Sequence, residues 1–578
     1  MVKTIYFFLS FLVCFITILL VKKADRKISI INNLIICYIL QLCFSTVAVI
    51  PLAIFSIPIN IISVSVIYNI FSIILIIVLV KKKEVQLYYI NFYDTVAFLV
   101  LFILLTSVFL LVFTPEIELK YFNTDTANIF TFVMDSLRKG ELYSMYFSTL
   151  NCALFIEGMF PFFPGIYSYK SFIIISTFMT FINGMMFYVL IAKPNYSKKI
   201  KIAAILVTVL YTVGWPLYSY VPGGWIYWGD GVTLCMFGIY LLGLYKENGL
   251  YRKKILVLLF INMYCIAVTY MLFTPYIVCM YIIALTYCFV LEVKEKEKIK
   301  GYLKKVFGIA LVVGVILIAV VYNYFNGNVK FFLGSLAKDG GIHKELYRDF
   351  IYFLPVVCYA LEKVFKNKKI ELNFLLYLSF LVMVLGSYFL CLTNILSPYY
   401  YYRLYFILWM LTWLITFDVL RETLVSNCIF IYTYGSVMLV LCIFTFTPLE
   451  EIVSNKGLQE NKTVEFPIYS AVGSYVKSPA ETIYDDEEFW EILIYLQEHA
   501  ITAPLVVNKE NSEYYYWYSP LTGVGNYSNK EFDTMENEKM PSALVVEKTS
   551  EISNEKKKYI EKNYRLLFEN EYAAVYSK

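Results

Sequence analysis

The sequence predicts a mainly α-helical polytopic membrane protein that ends in a small α/β domain. Of its 578 residues, 60% are hydrophobic and only 16% are charged, whereas a soluble protein carries about 25% charged residues. The apolar residues are grouped in runs of about 20, the length that a helix needs to cross a bilayer. From residue 448 onward the chain has 23 acidic and 13 basic residues, a balance of −10, although the whole chain carries +5. This change of sign marks a second domain.

The apolar runs set the expected number of membrane spans. About fourteen runs approach the required length, so the sequence predicts about 14 transmembrane helices. Their approximate limits are 3–21, 29–50, 58–80, 93–113, 171–191, 202–220, 231–245, 255–271, 275–291, 305–323, 349–362, 372–393, 404–420 and 427–447. We assign the first three runs to an N-terminal segment, 1–92, and the others to a main membrane domain, 93–447.

The basic residues between the runs predict the orientation of the chain. Loops rich in Lys and Arg alternate with loops that are poor in both, and the positive-inside rule places the basic loops in the cytoplasm. The basic loops are 21–27, 81–84, 197–201, 251–254, 294–305 and 363–369. The loops 114–170, 221–230, 324–348 and 394–403 then face outward. The sequence thus predicts a multi-pass protein of the cell membrane with both termini extracytoplasmic.

The acidic tail, 448–578, is predicted to be a small extracytoplasmic α/β domain. Residues 487–500 have the apolar spacing of a helix. PLVVN (504–508), ALVVEK (543–548) and two runs within 565–577 have the composition of strands. The last two are joined at Glu569-Asn570-Glu571, which suits a turn.

The membrane runs and the short loops exclude several function classes. Charged residues are nearly absent from the middle of the runs, which argues against proton-coupled transport, because such transporters relay protons through charged groups in the membrane. The neutral side chains of Asn32, Asn33 and Gln41 remain suited to bind Na⁺ or a substrate. The cytoplasmic loops are too short to house an ATPase domain and have no Walker-type glycine motif, so no ATPase is predicted within them.

The first long outer loop holds the main functional candidate. In KYFNTDTANIFTFVMDSLRKGELYSMYF (120–147), Thr124 or Asp125 suits a helix N-cap and Gly140 suits the helix end. The apolar residues between them predict an amphipathic helix at the membrane surface. Asp125 is therefore either a capping acid or a functional base. Ten residues of helix separate it from Asp135 by about 15 Å, so the two do not form an acid/base pair.

Other polar residues of the outer loops form a second group of candidates. Glu157 lies in an apolar stretch that prolines interrupt, where it is either a functional acid or a residue that reaches the lipid headgroups. Trp225, Trp228 and Asp230 lie in VPGGWIYWGD. Its rings suit either an interfacial aromatic belt or stacking on a sugar.

Basic residues of the outer loops form a third group. His343, Lys344 and Arg348 belong to a cationic loop, which suits either a solvated surface or an anionic headgroup or pyrophosphate. Arg403 follows four tyrosines, among them Tyr401, and suits either snorkelling or phosphate binding. The two His and 12 Cys residues of the chain show no metal-ligand spacing, so no metal site is predicted.

These features together resemble the C-type (GT-C) glycosyltransferase superfamily. In that superfamily a multi-span membrane domain has an acidic residue in its first large outer loop, and a soluble outer domain often follows. The residues that carry the resemblance are FNTDTANIFTFVMDSLRKGELY, with Asp125 as the loop acid, and PYYYYRLYF, with Arg403 near an outer helix end. The tail, which ends YRLLFENEYAAVYSK, resembles the terminal hairpin of bacterial members.

The resemblance implies transfer of a sugar, on the outer face, from a polyprenyl-phosphate-linked donor to a cell-envelope glycan or lipid acceptor. Asp125 would be the general base. The donor phosphate would be held by Arg403, Lys344, His343 and Arg348. The sugar and acceptor would meet Trp225, Trp228, Asp230, Tyr401 and Glu157. A divalent metal ion is compatible with such carboxylates, although no ligand set is visible, and neither another cofactor nor a nucleic acid is expected.

Two other function classes remain open at this point. One is a flippase or transporter for lipids or glycans, which would need no intramembrane charge if flipping were facilitated. The other is a non-catalytic envelope-assembly protein, in which the acidic tail would be the working part. An O-antigen-polymerase-like enzyme is disfavoured, because such enzymes rely on arginines in large outer loops, and the outer loops of this chain have only Arg138, Arg348 and Arg403.

Overall fold

The computed structural model describes most of the chain. The described residues are 3–5, 9, 29–81, 90–121, 124–140, 146–221, 223–247, 252–292, 350, 353–367, 370–392, 403–426, 487–501, 504–508, 513–522 and 526–578. Four candidate residues lie outside these ranges, namely His343, Lys344, Arg348 and Tyr401. Most of the apolar run 3–21 also lies outside, as do the runs 305–323 and 427–447.

Helices dominate the part of the chain that precedes the acidic tail. They are α1 (Ile30–Ile54), α2 (Ile61–Lys81), α3 (Phe92–Phe113), α4 (Thr124–Lys139), α5 (Tyr146–Met159), α6 (Ser168–Ile191), α7 (Lys198–Val213), α8 (Trp215–Tyr220), α9 (Ile226–Glu247), α10 (Arg252–Thr269), α11 (Thr274–Glu292), α12 (Leu354–Asn367), α13 (Leu372–Leu392) and α14 (Tyr405–Ser426). Single 3₁₀ turns at Gly165–Tyr167 and Met271–Phe273 precede α6 and α11.

Within the described residues, seven helical segments are long and apolar enough to cross a membrane, as a multi-pass helical membrane protein requires. They comprise α1, α3, α6, the pair α7 and α8, α9, α11 and α13. Each corresponds to one of the predicted runs. The fold class is thus confirmed at the level of a helical membrane protein, whereas the expected count of about 14 spans is not supported.

Three further described helices are too short or too charged to count as membrane spans. The helix α10 begins with the basic residues Arg252, Lys253 and Lys254, and α14 carries Asp418, Arg421 and Glu422 in its second half. The helix α12 has only 14 residues, about 21 Å of rise, which is less than the thickness of the hydrocarbon core. Within the described residues, the apolar runs therefore outnumber the helices that are long and apolar enough to be spans.

The described chain divides into two compact units, and the predicted domain boundaries stay a prediction. Unit 1 comprises Met1–Ile182, Pro216–Gly229 and Ser474–Lys578, and unit 2 comprises Asn183–Trp215 and Asp230–Gly473. Within unit 1, α1 packs against α3 and α5 as well as against α2. The described residues of the outer loop and of the acidic tail also belong to unit 1.

In unit 1, the start of α2 is fixed by local hydrogen bonds. The side-chain oxygen of Asn60 accepts hydrogen bonds from the amides of Ile62 and Ser63, both at 3.0 Å. The Ser63 hydroxyl in turn accepts from the amide of Asn60 at 3.0 Å. This reciprocal cap satisfies amides that a helix start otherwise leaves unpaired.

In unit 2, polar side chains link buried faces of the helices. Asn183 donates to the hydroxyl of Thr233 at 2.8 Å and accepts from the hydroxyl of Tyr211 at 2.9 Å. Tyr281 donates to Asn262 at 2.7 Å, and Asn262 donates to a backbone carbonyl of α9 at 3.0 Å. All of these side chains are buried. Such contacts stabilise helix pairs by about 1 kcal/mol each in a membrane.

The acidic tail folds as an α/β domain, as the sequence predicts. Its elements are α15 (Glu487–Glu498), β1 (Leu505–Asn508), α16 (Glu513–Thr522), β2 (Asn526–Ser528), α17 (Asn529–Thr534), β3 (Ala543–Glu547), α18 (Asn554–Asn563), β4 (Arg565–Glu569) and β5 (Ala573–Ser577). The sheet order is β2-β1-β3-β5-β4. The first three strands are parallel, and β5 pairs antiparallel with β3 and β4. The helix at 487–500 and the predicted strands are thereby confirmed.

Candidate functional site

The helix α4 has the boundaries that the sequence predicts, but its apolar face is covered by protein. It begins at Thr124, so Asp125 lies in its first turn rather than at the N-cap. At the other end, the amide of Gly140 donates to the carbonyl of Ser136 at 3.0 Å. Phe130 and Val133 are fully buried, because α4 packs against α5 and α16. The apolar face of α4 therefore packs against α5 and against α16 of the acidic tail, whereas the sequence predicted that this face contacts the membrane surface.

The first turn of α4 is bonded to the aromatic loop that precedes α9. Thr126 is fully buried, and its hydroxyl donates to the carbonyl of Gly223 at 2.6 Å. The next residue, Gly224, has φ +60°, and a Cβ atom there would lie 2.4 Å from the side chain of Thr126 and 3.0 Å from that of Tyr121. Only glycine fits this close approach. Two of the predicted candidate regions, the acidic loop and the aromatic loop, are thus in contact.

The rings of the aromatic loop form one packed cluster. Trp225 and Trp228 have ring centroids 4.6 Å apart, and Trp225 also lies 5.8 Å from Tyr218. Trp228 is only 3% exposed, whereas Trp225 is half-buried. Trp225 is therefore the indole of this pair that has surface available for a sugar ring. The sugar-binding role of both residues stays a prediction.

The acidic tail contacts α4 through rings and through one arginine. Trp517 of α16 stacks on Tyr121, with planes 10° apart and centroids 6.2 Å apart, and also lies 6.2 Å from Phe130. The guanidinium of Arg138 donates to the carbonyls of Ser519 at 3.1 Å and Pro520 at 2.9 Å. These carbonyls belong to the last turn of α16, where the carbonyls of a helix have no amide donors within the helix. Burial at this contact lowers the pKa of Arg138, and the charge of Asp135 opposes that shift.

Substitution of Arg138 by alanine is expected to loosen the contact between α4 and α16. Loss of two hydrogen bonds from a charged, partly exposed donor costs about 1–2 kcal/mol. Hydrogen exchange of the α4 and α16 amides should accelerate by about tenfold, since 1.4 kcal/mol corresponds to a factor of ten. Lys139→Ala is the matched control, because it removes the neighbouring basic side chain, which pairs with Asp135 at 3.0 Å in an exposed ion pair. Equal exchange in both variants would contradict the proposed contact.

Three acids of the outer loop differ in what their carboxylates already bind. Asp135 pairs with Lys139. Glu157 is buried, pairs with Lys3 at 2.7 Å and accepts the amide hydrogen bond of Ile61 at 2.7 Å. Asp125 is exposed and forms no hydrogen bond or ion pair with any residue in the part of the chain that the structure describes.

The position of Glu157 suggests a structural role. Ile61 is the first residue of α2, and a carboxylate at the start of a helix interacts favourably with the helix dipole. Both oxygens of Glu157 are used by Ile61 and Lys3, so the carboxylate links α5 to the start of α2. The predicted contact of Glu157 with a sugar or acceptor stays untested.

Two further candidates lie in unit 2. Arg403 is 4% exposed, and its guanidinium lies over the ring of Tyr270, 6.0 Å from the centroid. This arrangement is a cation–π contact, in which a desolvated guanidinium is attracted to the ring face. Asp230 is 3% exposed and lies in the first turns of α9. The predicted phosphate-binding role of Arg403 and the acceptor role of Asp230 stay predictions.

The site residues that sequence reasoning missed act through contacts with distant parts of the chain. Thr126, Arg138 and Trp517 hold α4 in place, and none was a candidate. One sequence feature pointed to the contact of Arg138. The basic pair at 138–139 lies on the side of the membrane that is predicted to be poor in basic residues. Within the described ranges, no group of three His, Cys, Asp or Glu side chains is arranged to hold a metal ion.

Comparison with known proteins adds no relative. No protein-family model matches the sequence, and no curated protein matches it either. The resemblance to the GT-C superfamily therefore rests on the outer-loop segment around Asp125, on the segment around Arg403 and on the membrane architecture.

Proposed function

We propose that this chain is an integral-membrane glycosyltransferase that moves a sugar from a polyprenyl-phosphate-linked donor to a cell-envelope acceptor on the outer face. The observation that carries the proposal is the contrast between Asp125 and its surroundings. Its carboxylate is exposed and forms no hydrogen bond or ion pair with a described residue. The helix that bears it forms hydrogen bonds to other parts of the chain near both of its ends. A general base needs this combination of a fixed backbone and an available side chain.

The two anchors of α4 act on opposite ends of the helix. Thr126 binds the aromatic loop next to Asp125, and Arg138 binds the last turn of α16. Asp125 is thereby held close to a loop whose half-buried indole, Trp225, has area for a sugar face. Transfer to a hydroxyl acceptor requires a surface on which the sugar ring can stack and a carboxylate in a fixed position.

The proposed reaction is a displacement at the anomeric carbon of the donor sugar. Asp125 accepts the proton of the acceptor hydroxyl as the acceptor oxygen bonds to the anomeric carbon. The bond from that carbon to the phosphate oxygen breaks, and polyprenyl phosphate leaves with the electron pair. The phosphate that leaves is negatively charged and therefore needs a cationic partner. The reaction involves no change of oxidation state and needs no redox cofactor.

The experiment that tests this function uses the purified chain reconstituted in liposomes. A donor labelled in its sugar is supplied together with an extract of envelope acceptors, and the release of polyprenyl phosphate is measured against the transfer of label. We expect both products in equal amounts. Movement of labelled lipid across the bilayer without release would indicate a flippase, and neither result would indicate a non-catalytic protein.

A further inference from the structure

The hydrogen bond between α4 and the aromatic loop joins the neighbours of two candidate residues. Thr126 follows Asp125 directly, and Gly223 and Gly224 precede Trp225. The hydroxyl of Thr126 donates to the carbonyl of Gly223 at 2.6 Å. Thr126 and both glycines are buried, whereas Asp125 is exposed and Trp225 is half-buried. A buried contact therefore lies between a carboxylate and a ring that both have exposed surface.

This contact limits the distance from Asp125 to Trp225. The methyl carbon of Thr126 lies 2.4 Å from the position that a Cβ atom at Gly224 would occupy, which places the two Cα atoms within about 6.5 Å of each other. Successive Cα atoms are about 3.8 Å apart, so the Cα atoms of Asp125 and Trp225 are separated by at most about 14 Å. Two side chains that extend into such a gap leave room for one sugar ring, not for a longer stretch of glycan.

The backbone of the aromatic loop is fixed by hydrogen bonds of its own. The amide of Trp225 donates to the carbonyl of Ser219 at 2.7 Å, and the amide of Gly223 donates to the carbonyl of Tyr218 at 3.1 Å. All of these residues, like α4, belong to unit 1. The loop thus keeps its shape through local bonds, and the bond from Thr126 sets its position relative to α4.

The molecule that meets a general base is the acceptor, because the base removes the proton of the acceptor hydroxyl. That hydroxyl must come within about 3 Å of the carboxylate, and a ring that stacks on an indole lies about 4 Å from it. A sugar satisfies both conditions, since it has hydroxyl groups and an apolar ring face. A glycerol hydroxyl of a lipid brings no ring to the indole.

We propose that Thr126 is a positioning residue for the transfer and that the acceptor is a glycan. One sugar ring of the acceptor stacks on Trp225 and gives its hydroxyl proton to Asp125. Thr126 does not touch this sugar but sets the distance between the two groups that do. The inference rests on the proposed function and narrows its acceptor from a glycan or a lipid to a glycan.

The test compares two rates of the reconstituted chain with the same labelled donor. One is transfer to an oligosaccharide fraction of the cell envelope, and the other is hydrolysis of the donor without acceptor. Water needs the base but no ring to stack on, so the ratio of transfer to hydrolysis reports how the acceptor is positioned. This ratio does not depend on the amount of folded protein.

Thr126→Val preserves the shape of the side chain and removes its hydroxyl. We expect the ratio to fall by about 10- to 100-fold and the KM for the acceptor to rise, because a misplacement of about 1 Å costs up to about 100-fold. Thr126→Ser keeps the hydroxyl and should restore most of the ratio. Trp225→Leu should lower the ratio as well, and the double variant with Thr126→Val should lower it no further, since the two residues act on one contact.

Thr131→Val is the matched control. It makes the same change on the same helix, but the hydroxyl of Thr131 donates to the carbonyl of Ala127, within α4, at 2.8 Å. This variant should keep the wild-type ratio.

Four outcomes would overturn the proposal in a wild type that transfers sugar. They are an equal ratio in Thr126→Val and Thr131→Val, a fall that Thr126→Ser does not restore, an unchanged ratio in Trp225→Leu, and label that reaches envelope lipids but no glycan. Should Thr126→Val fail to fold, Trp225→Leu and the identity of the labelled product decide. A wild type that neither transfers nor hydrolyses would instead contradict the proposed function itself.

Discussion

Asp125→Asn is expected to lower the rate of sugar transfer by about 100- to 10,000-fold, the range that a general base contributes. The substitution keeps the shape of the side chain and removes its capacity to accept a proton. Asp125 forms no hydrogen bond or ion pair with a described residue, so its loss should leave the protein folded and the donor bound. The effect should therefore appear in kcat, with little change in KM.

Asp135→Asn is the matched control for this measurement. It makes the same chemical change on the same helix, ten positions later, at a carboxylate that pairs with Lys139. An exposed pair of this kind contributes at most about 1 kcal/mol to stability, and the transfer rate should change by less than about twofold. Wild-type turnover in Asp125→Asn, measured beside active wild-type protein, would remove Asp125 from the mechanism.

Gly238→Ala is expected to destabilise unit 2 by about 3–5 kcal/mol, the largest structural effect that we predict, because overpacking and an unpaired buried group each cost about 1–3 kcal/mol. A Cβ atom at this position of α9 would lie 1.4 Å from the hydroxyl oxygen of Tyr281 and 2.8 Å from the side-chain oxygen of Asn262. Tyr281 is 2% exposed and cannot move without breaking its hydrogen bond to Asn262. The substitution therefore combines both costs at one position.

Gly243→Ala separates this effect from the helix propensity of alanine. Gly243 lies on the same helix, and a Cβ atom there would meet nothing within 4 Å. Alanine is favoured over glycine in a helix by about 1 kcal/mol, so this variant should be neutral or slightly more stable. The measurement is the Tm of each purified variant in detergent. Equal Tm values for the two variants would show that α9 does not pack on Tyr281 as described.

The parts of the fold that the sequence predicted are those with a local signal. The limits of α4 follow from a polar start, helical spacing and a glycine at 140, and α15 and the strands β1, β3, β4 and β5 also show regular patterns. The helix α16, EYYYWYSPLT, was not predicted, because its β-favouring rings and Pro520 contradict a helix. It is helical because Trp517 and Tyr518 are buried, and burial overrides propensity.

The sequence predicted individual residues of the candidate site but not the contacts between them. Asp125 was identified from its position in an outer loop, but the contacts that hold its helix join residues that are far apart in sequence. The bond from Thr126 to Gly223 spans 97 positions, and that from Arg138 to Ser519 spans 381. The acceptors are backbone carbonyls, which every residue has, so no residue type marks them. The expected count of about 14 spans is not supported within the described residues, where some apolar runs form helices that are short or that carry charged residues.

The assembly of unit 1 from three separated stretches has a consequence for biosynthesis. At about 5–20 residues per second, a ribosome needs about 20–75 s to reach Ser519 after it has made Arg138. During that interval α4 emerges without the partner that later fixes its last turn. The helix that carries Asp125 is thus completed by the newest part of the polypeptide, and on the proposed function a nascent chain acquires transferase activity only after its tail has been delivered across the membrane.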